Sequence, residues 1–351
     1  MTNPKEIDGS SYSGSGTIVR QAVALAALTA TDIRITNIRC RRPNPGLRPQ
    51  HTRVVDAIRE LVDGKTEGNE VGSSTLVFRP GREVIRGRYA WDIGSAGSTV
   101  LLAQALLPLL AFHRHEATIQ LRGGVFQDFA PSFYHFAHAL LPLLRRMGLT
   151  VDVRMLKPGY VPVGEGVIEL DVGLLHEPLK PLVLEDRGDV RRVWGVAFSS
   201  HLKERQVTRR MADAARARLE QAGFEPEIEE IDDETAAQPG AACAVFADVA
   251  NGACLGADRA GAPRRRAEVV GDYAARALLE DLRTGGSVDR FAADQLIIFA
   301  ALAGGESRWR IPRLTDHIEA DAWLARQLLG AEVTVLDGEL RAHGVGFGPR
   351  R

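Results

Sequence analysis

Cysteine is scarce. The three present, Cys40, Cys243 and Cys254, lie far apart and none falls in a Cys-x-x-Cys pair. That spacing excludes a structural zinc module and a disulfide framework, and it fits a reducing, cytoplasmic setting. Net charge is equally small, −1 at pH 7. A uniformly basic nucleic-acid coat is therefore excluded, while a local basic patch is not. Long apolar runs are missing too. The longest, Val100 to Phe112, is interrupted by Gln104 and is too short to cross a bilayer. The opening residues, Met1-Thr2-Asn3-Pro4-Lys5-Glu6, carry no apolar signal region. The expectation is a cytoplasmic protein with no membrane partner.

What is present is enough for a large core: 351 residues, 45% of them hydrophobic. One pattern occurs three times: an apolar helix, a strand, a Gly/Pro-rich turn, an amphipathic helix, then one or two strands. The first unit runs from about Ile7 to Val84. Its first helix carries Ile18, Val19, Ala22, Val23 and Leu25. Asp32 to Ile38 alternates as a strand, Arg42-Pro43-Asn44-Pro45-Gly46 turns, and Val54, Ile58, Leu61 and Val62 share one helical face. The second unit runs from about Trp91 to Val172, with a single second helix expected from Ser132 to Met147. The third begins with the apolar helix Leu296 to Leu302. It crosses a Gly304-Gly305 turn and a strand from Ser307 to Ile311, enters a helix at Thr315, and closes with strands at Glu332 to Leu336 and Leu340 to Val345. A repeat of about 80 residues is too long for a solenoid. It predicts three α/β units, helices packed on small sheets, around a common axis.

Asp186 to Thr284 has a different texture: charged helices at Glu204 to Ala222 and Arg266 to Leu282, with strands between. The predicted organisation is α/β, with a three-repeat domain over residues 1–185 and 285–351 and a smaller α/β domain, residues 186–284, inserted before the third unit.

Gly-rich turns open the first helices of units one and two and expose backbone N–H groups at helix N-termini. Neither has a Walker lysine or the spacing of a dinucleotide fingerprint. Arg39, Arg41, Arg42 and Arg48, with Gln50 and His51, form a basic loop entering a helix. Arg20 sits on a mainly apolar helix and needs an anionic partner, a phosphate or a carboxylate. His135 and His138 are one helical turn apart, but no third ligand stands at useful spacing. Thr315-Asp316 reads as an N-cap, which puts His317 in the first turn of a helix, beside unpaired N–H groups suited to a phosphate.

Taken together, these motifs resemble the RNA 3′-terminal phosphate cyclases over essentially the full length. The resemblance rests on Ile7-Asp8-Gly9, Arg39 to His51 with Pro45-Gly46-Leu47, Ile93-Gly94-Ser95-Ala96-Gly97-Ser98, and Gly123-Gly124 with Pro131. It continues through Gly159-Tyr160-Val161-Pro162, Ala293-Asp294-Gln295-Leu296 and Ala301-Leu302-Ala303-Gly304. It implies ATP-dependent conversion of an RNA 3′-phosphate end to a 2′,3′-cyclic phosphate, with ATP and Mg²⁺ or Mn²⁺ required. The family's nucleophilic histidine falls on His317, which would carry AMP covalently. By matched position, Arg20, Arg42 and Gln50 line the phosphate side, while Pro131, Asp294 and Gln295 lie near the nucleotide. Phe291 stands where the family usually has Tyr.

The chain departs from the family at several points. The first turn, usually Gly-Glu-Gly-Gly-Gly-Gln, reads Tyr12-Ser13-Gly14-Ser15-Gly16-Thr17, so the metal-side Glu is Ser13 and the Gln is Thr17. Polar residues after Gly123-Gly124 become Val125-Phe126, and the Thr-Asn after the histidine becomes Ala320-Asp321. Gly164-Glu165-Gly166 replaces a Gly-Gly-Gly, which makes Glu165 a candidate metal ligand. Two other readings stay open: a non-catalytic RNA- or protein-binding relative, and an adenylyltransferase with a different phosphate acceptor.

Overall fold

The computed structural model describes residues 3–82 and 87–348. The expected end of the first unit at Val84, and the outermost residues of the expected 1–185 and 285–351 segments, lie outside them.

Each repeated unit contains a four-stranded sheet with one topology. In the first, β1 (Lys5–Asp8), α1 (Gly16–Thr29), β2 (Ile33–Thr36), α2 (Pro49–Leu61), β3 (Lys65–Glu67) and β4 (Leu76–Arg79) give the order β1-β2-β4-β3. β1 runs parallel to β2, and both remaining pairings are antiparallel. The second contains β5 (Gly87–Asp92), α3 (Thr99–Ala111), β6 (Ala117–Gly123), a helix with a π-turn inside it, β7 (Val151–Lys157) and β8 (Gly166–Val172), in the order β5-β6-β8-β7.

The third sheet starts early. Its β9 (Val183–Leu184) precedes a long excursion of the chain. The unit then resumes with α8 (Ala292–Gln295), α9 (Ile297–Leu302), β14 (Gly304–Arg310), α10 (Asp316–Leu329), β15 (Glu332–Leu336) and β16 (Glu339–Val345). β9 pairs in parallel with β14, so the order β9-β14-β16-β15 repeats the other two. The excursion forms its own sheet: β10 (Val190–Ser200), α6 (Val207–Glu220), β11 (Glu227–Asp233), β12 (Gly240–Val249), β13 (Cys254–Ala260) and α7 (Ala267–Arg283), ordered β11-β10-β12-β13. The α/β class expected from the sequence holds.

The leading strand of each unit was not legible in the sequence. β1 is an edge strand with mostly exposed, charged side chains, β5 is an edge strand with no fully buried residue, and β9 has only two residues. Apolar alternation is the signal for a half-buried strand, and an edge with little burial does not carry it. Two further expectations are corrected. Gly304-Gly305 is not a turn but the start of β14, paired with Val345 and Gly344. The helix expected from Ser132 to Met147 is present without interruption over 133–146 but is not α throughout, being α4 (Phe133–His135), a π-turn (Phe136–Leu140) and α5 (Leu141–Arg146). Pro142 has no N–H to offer the carbonyl four residues back, and the Leu141 N–H donates to Phe136 O instead.

The helices gather the units into one body. α1 is apolar nearly all round, with Ile18, Ala22, Val23 and Leu25 fully buried, and it packs on α2, α3 and α10. That contact brings the N-terminal turn of α1 from the first unit against the N-terminal turn of α10 from the third. Among the described residues, no helix is long and apolar enough to cross a membrane.

Candidate active site

Thr315 caps α10, its hydroxyl accepting from Ile318 N at 3.2 Å. Ser15 caps α1 in the same way, accepting from Thr17 N at 3.2 Å. Between the two caps, Thr17 Oγ1 lies 3.2 Å from His317 Nδ1. The same hydroxyl accepts from Arg20 Nη2 at 3.1 Å. Two helix N-termini and a guanidinium therefore converge on one half-buried imidazole, a setting that favours a phosphate.

The field around His317 is positive. Burial lowers its pKa first, and the charges of Arg20 and Arg42 lower it further, so the ring is neutral near pH 7. His51, packed against the start of α1, is 2% exposed and held down to about 3, by burial and then by Arg20, Arg39 and Arg48. Its Nδ1 accepts from Arg48 N at 3.1 Å, and its ring lies so close to α1 that a Cβ on Gly16 would fall 2.1 Å from Nε2. Only glycine fits there.

Two carboxyls face Arg20. Burial takes its guanidinium down to about 10, while Asp321 and Asp294 pull the other way. Asp321 is 2% exposed with Oδ1 unpartnered, and burial, then Asp294, holds it well above the usual carboxylate range. Burial, then Asp289, pushes Asp294 up to about 7. The pair thus carries less than its formal charge near neutrality, and the cleft stays receptive to anions.

The cleft has a volume of about 280 Å³. Arg20, Pro131, Phe291, Asp294, Gln295 and His317, all expected from the sequence, line it together. Gln104 Nε2 donates to Gln295 Oε1 at 2.6 Å. The wall bearing Phe291 is fixed from behind. His135 Nε2 and Asp289 Oδ1 are 3.0 Å apart, both fully buried, and Asp289 also accepts from the N–H groups of Phe291, Ala292 and Gly256. His138 packs on Trp194 and Phe246.

Three expected residues sit elsewhere. Arg42 Nη2 donates to Ser13 O at 3.0 Å and acts on His317 through its charge. Gln50 backs the second Gly-rich turn, where a Cβ on Gly97 would lie 2.9 Å from Gln50 Cβ. Glu165 pairs with Arg122 Nη2 at 3.1 Å and is not among the residues lining the cleft. Thr17, Gln104, Phe129 and Asp321 line it without having been singled out as site residues. Thr17 and Asp321 stood out only as departures from the family, and Gln104 only as the break in an apolar run.

A family model described as RNA 3′-terminal phosphate cyclase matches residues 11–335. The RNA 3′-terminal phosphate cyclase of Hyperthermus butylicus is 39% identical, over 98% of this chain and 99% of that protein. That of Methylococcus capsulatus is 38% identical over 96% of each chain, and that of Staphylothermus marinus 34% over 98% and 99%. Among solved structures, the enolpyruvyl transferase NikO from Streptomyces tendae matches at 15% identity and a TM-score of 0.26, over 99% of this chain and 52% of that one. That likeness is too slight to bear on fold or function. The length, coverage and identity of the sequence matches make this chain a member of the RNA 3′-terminal phosphate cyclase family.

Proposed function

We propose that the protein uses ATP to convert an RNA 3′-phosphate end to a 2′,3′-cyclic phosphate through a His317–AMP intermediate. The observation that carries the reading is the neutral His317 ring, held at the α10 N-terminus by Thr17 with Arg20 beside it. Attack by Nε2 needs its lone pair there and the proton on Nδ1. Thr17 Oγ1 then accepts from Nδ1–H as well as from Arg20, using both its lone pairs.

The chemistry divides into three displacements. His317 Nε2 bonds to the α-phosphorus of ATP, and the bond to the bridging oxygen breaks, releasing pyrophosphate. An oxygen of the RNA 3′-phosphate bonds to that phosphorus and breaks the P–N bond, freeing the imidazole. The neighbouring 2′-hydroxyl then attacks the 3′-phosphorus, loses its proton, and expels AMP. A phosphate monoester has no good leaving group of its own, and adenylylation supplies one. Arg20 and the two helix N-termini stabilise charge developing on the phosphoryl oxygens.

The residues of the cleft do not fit a resident divalent ion. Ser13 occupies the family's carboxylate position and bonds Ser15 at 3.0 Å. Asp294 and Asp321 face Arg20 with raised pKa values. Mg²⁺ or Mn²⁺ is therefore assigned to the ATP complex, which keeps water ligands, and no step is routed through Glu165. We also assign residues 186–284 as an inserted domain, supported by their separate sheet and its two helices. A second reading, adenylyl transfer to another phosphate acceptor, is favoured by one observation: Val125 and Phe126 are 2% and 1% exposed where the family has polar residues.

The test incubates the protein with ATP, Mg²⁺ and an RNA bearing a 3′-phosphate. The end should become phosphatase-resistant, with AMP and pyrophosphate released in step. A histidine–AMP adduct without any change in the RNA end would favour the second reading.

A further inference from the structure

A second cavity, of about 470 Å³, opens where the inserted sheet meets the loop carrying Tyr160, Val161 and Pro162. Among the described residues, five arginines line it, Arg205, Arg210, Arg264, Arg265 and Arg266, and no acidic residue does. In a chain of net charge −1 that is a concentration of one sign. Three of the five are engaged. Arg210 holds Glu268 through two hydrogen bonds of 2.8 and 3.0 Å, Arg266 lies 3.5 Å from the same carboxylate, and Arg265 grips Asp128 at 3.1 and 2.8 Å. Arg205 and Arg264 are exposed, and neither side chain has a partner among the described residues. Arg264 is held at φ +67, a conformation rare outside glycine, on a loop anchored by Arg265.

The backbone adds to this charge. β13 is antiparallel to β12, which is antiparallel to β10, so β10 and β13 run the same way. α6 follows β10 and α7 follows the β13 end, and both pack back across the sheet. They therefore run parallel and start at the same edge, where Val207 and Ala267 line the cavity. Neither helix has a side-chain N-cap, at Gln206 or at Arg266. The first turn of α6 holds no acidic residue, so its positive end is uncompensated, while Glu268 in the first turn of α7 is taken up by Arg210 and Arg266.

The position connects this cavity to the His317 cleft. Asp128, the anchor of Arg265, is followed by Phe129, which is wholly exposed, sits at φ +65, and lines that cleft. The Arg265–Asp128 pair therefore links a residue lining the cavity to the neighbour of one lining the cleft. The aromatic ring in the cavity, Tyr160, is 3% exposed and bonded to Ser200 at 2.8 Å, so no base can stack on it. A cavity that offers charge without a base slot suits a sugar–phosphate backbone, and arginine forks suit its oxygens.

We infer that this cavity binds backbone phosphates of the acceptor RNA upstream of its 3′ end, through Arg205, Arg264 and the N-terminus of α6. The inference rests on the reading of the His317 cleft as an RNA-end site. It places sequence-independent affinity in the inserted sheet and chemistry in the repeats. Acceptors too short to reach the cavity would then bind more weakly, with their chemistry unaltered.

The test measures binding of a fluorescent single-stranded RNA with a 3′-phosphate by anisotropy, over a series of salt concentrations. The proteins compared are the full-length wild type, Arg205→Gln/Arg264→Gln and Arg205→Lys/Arg264→Lys. Each phosphate contact on a single strand contributes about 0.7 to the log–log salt slope, so the Gln variant should lose about 1.4 of slope and about tenfold in affinity. The Lys variant should keep most of both. Formation of the histidine–AMP adduct and cyclisation of a mononucleoside 3′-phosphate should match wild type in both variants. Failure of the wild type to bind, or an unchanged slope in the Gln variant, would overturn the assignment. So would displacement of the RNA by polyglutamate of matched charge as effective as displacement by unlabelled RNA, which would point to an acidic protein segment. If the wild type binds as described but no RNA end is ever cyclised, the reading of the His317 cleft fails, and the cavity keeps RNA-backbone binding without its link to an acceptor end.

Discussion

Thr17 Oγ1 and His317 Nδ1, 300 residues apart in the chain, lie 3.2 Å from each other across the junction of the first and third repeats. The contact joins the first turns of two helices and fixes the Nδ1 edge of the imidazole. Replacing Thr17 by Val should slow transfer of AMP to the protein by about tenfold, the worth of roughly one orienting hydrogen bond, while Thr17→Ser should stay near wild type. Rapid-quench measurement of adduct formation separates these outcomes. Equal rates for Val and Thr would remove Thr17 from the account.

The positive surroundings of His317 set its pH response. Because burial, Arg20 and Arg42 all favour the neutral ring, the acid limb of adenylylation should fall below the ordinary histidine value of 6.5. Arg20→Gln removes one of these charges and should move that limb upward, alongside any loss in rate. A wild-type limb at or above 6.5 in the pH–rate profile of adduct formation would contradict this electrostatic picture.

His135 and Asp289 anchor the wall that carries Phe291. Burial lowers the His135 pKa, but Asp289 outweighs it and the net shift is upward. The Asp289 carboxyl, although buried, is held below 3.8 by His135 and by backbone N–H groups, those of Ala292 and Gly256 among them. The histidine contribution to stability is therefore complete below its unfolded value of about 6.5 and lost as pH rises through the higher folded value. The Asp289 contribution is complete above about 3.8 and lost as pH falls through its folded value. Urea melts should show greatest support from the pair between those limits. His135→Ala, which strands a buried carboxylate, should cost about 3–5 kcal/mol at pH 6. A loss under 1 kcal/mol, within the ordinary range of an exposed pair, would show that the pair does not hold the wall.

Asp321 is a carboxyl in a place that disfavours charge. Its raised folded pKa means that the unfolded chain ionises first, so it destabilises the fold increasingly as pH rises above 3.8. Asp321→Asn keeps the shape and removes that effect. The variant should melt higher than wild type, with the gap wider at pH 8 than at pH 5 and worth about 1 kcal/mol or more at the higher pH. A variant less stable than wild type at pH 8 would show that the charge on Asp321 is needed by Arg20.

Much of this was legible in the sequence, and the reasons are physical. The three repeats showed because α1, α2, α3 and α10 bury one face or nearly all of their surface, and burial writes periodicity into sequence. The edge strands β1, β5 and β9 bury too little to leave that mark, and the π-turn before Pro142 depends on a carbonyl's alternative partner, which composition does not display. In the cleft, His317, Arg20 and Asp294 were readable from motif and cap. Thr17 was not, since a threonine at a helix start is ordinary until the fold brings a histidine to it from 300 positions away. Glu165 was read as approaching a metal, and its partner is Arg122, which a register between neighbouring strands supplies.

The central claim is that His317 accepts AMP, and its most direct test uses ATP labelled in the α-phosphate with a divalent ion and no RNA. The wild type should carry acid-labile, base-stable label on the peptide containing His317. His317→Ala, shown by circular dichroism to be folded, should carry none. Label persisting on the Ala variant, or none on the wild type under conditions where ATP is bound, would contradict the account.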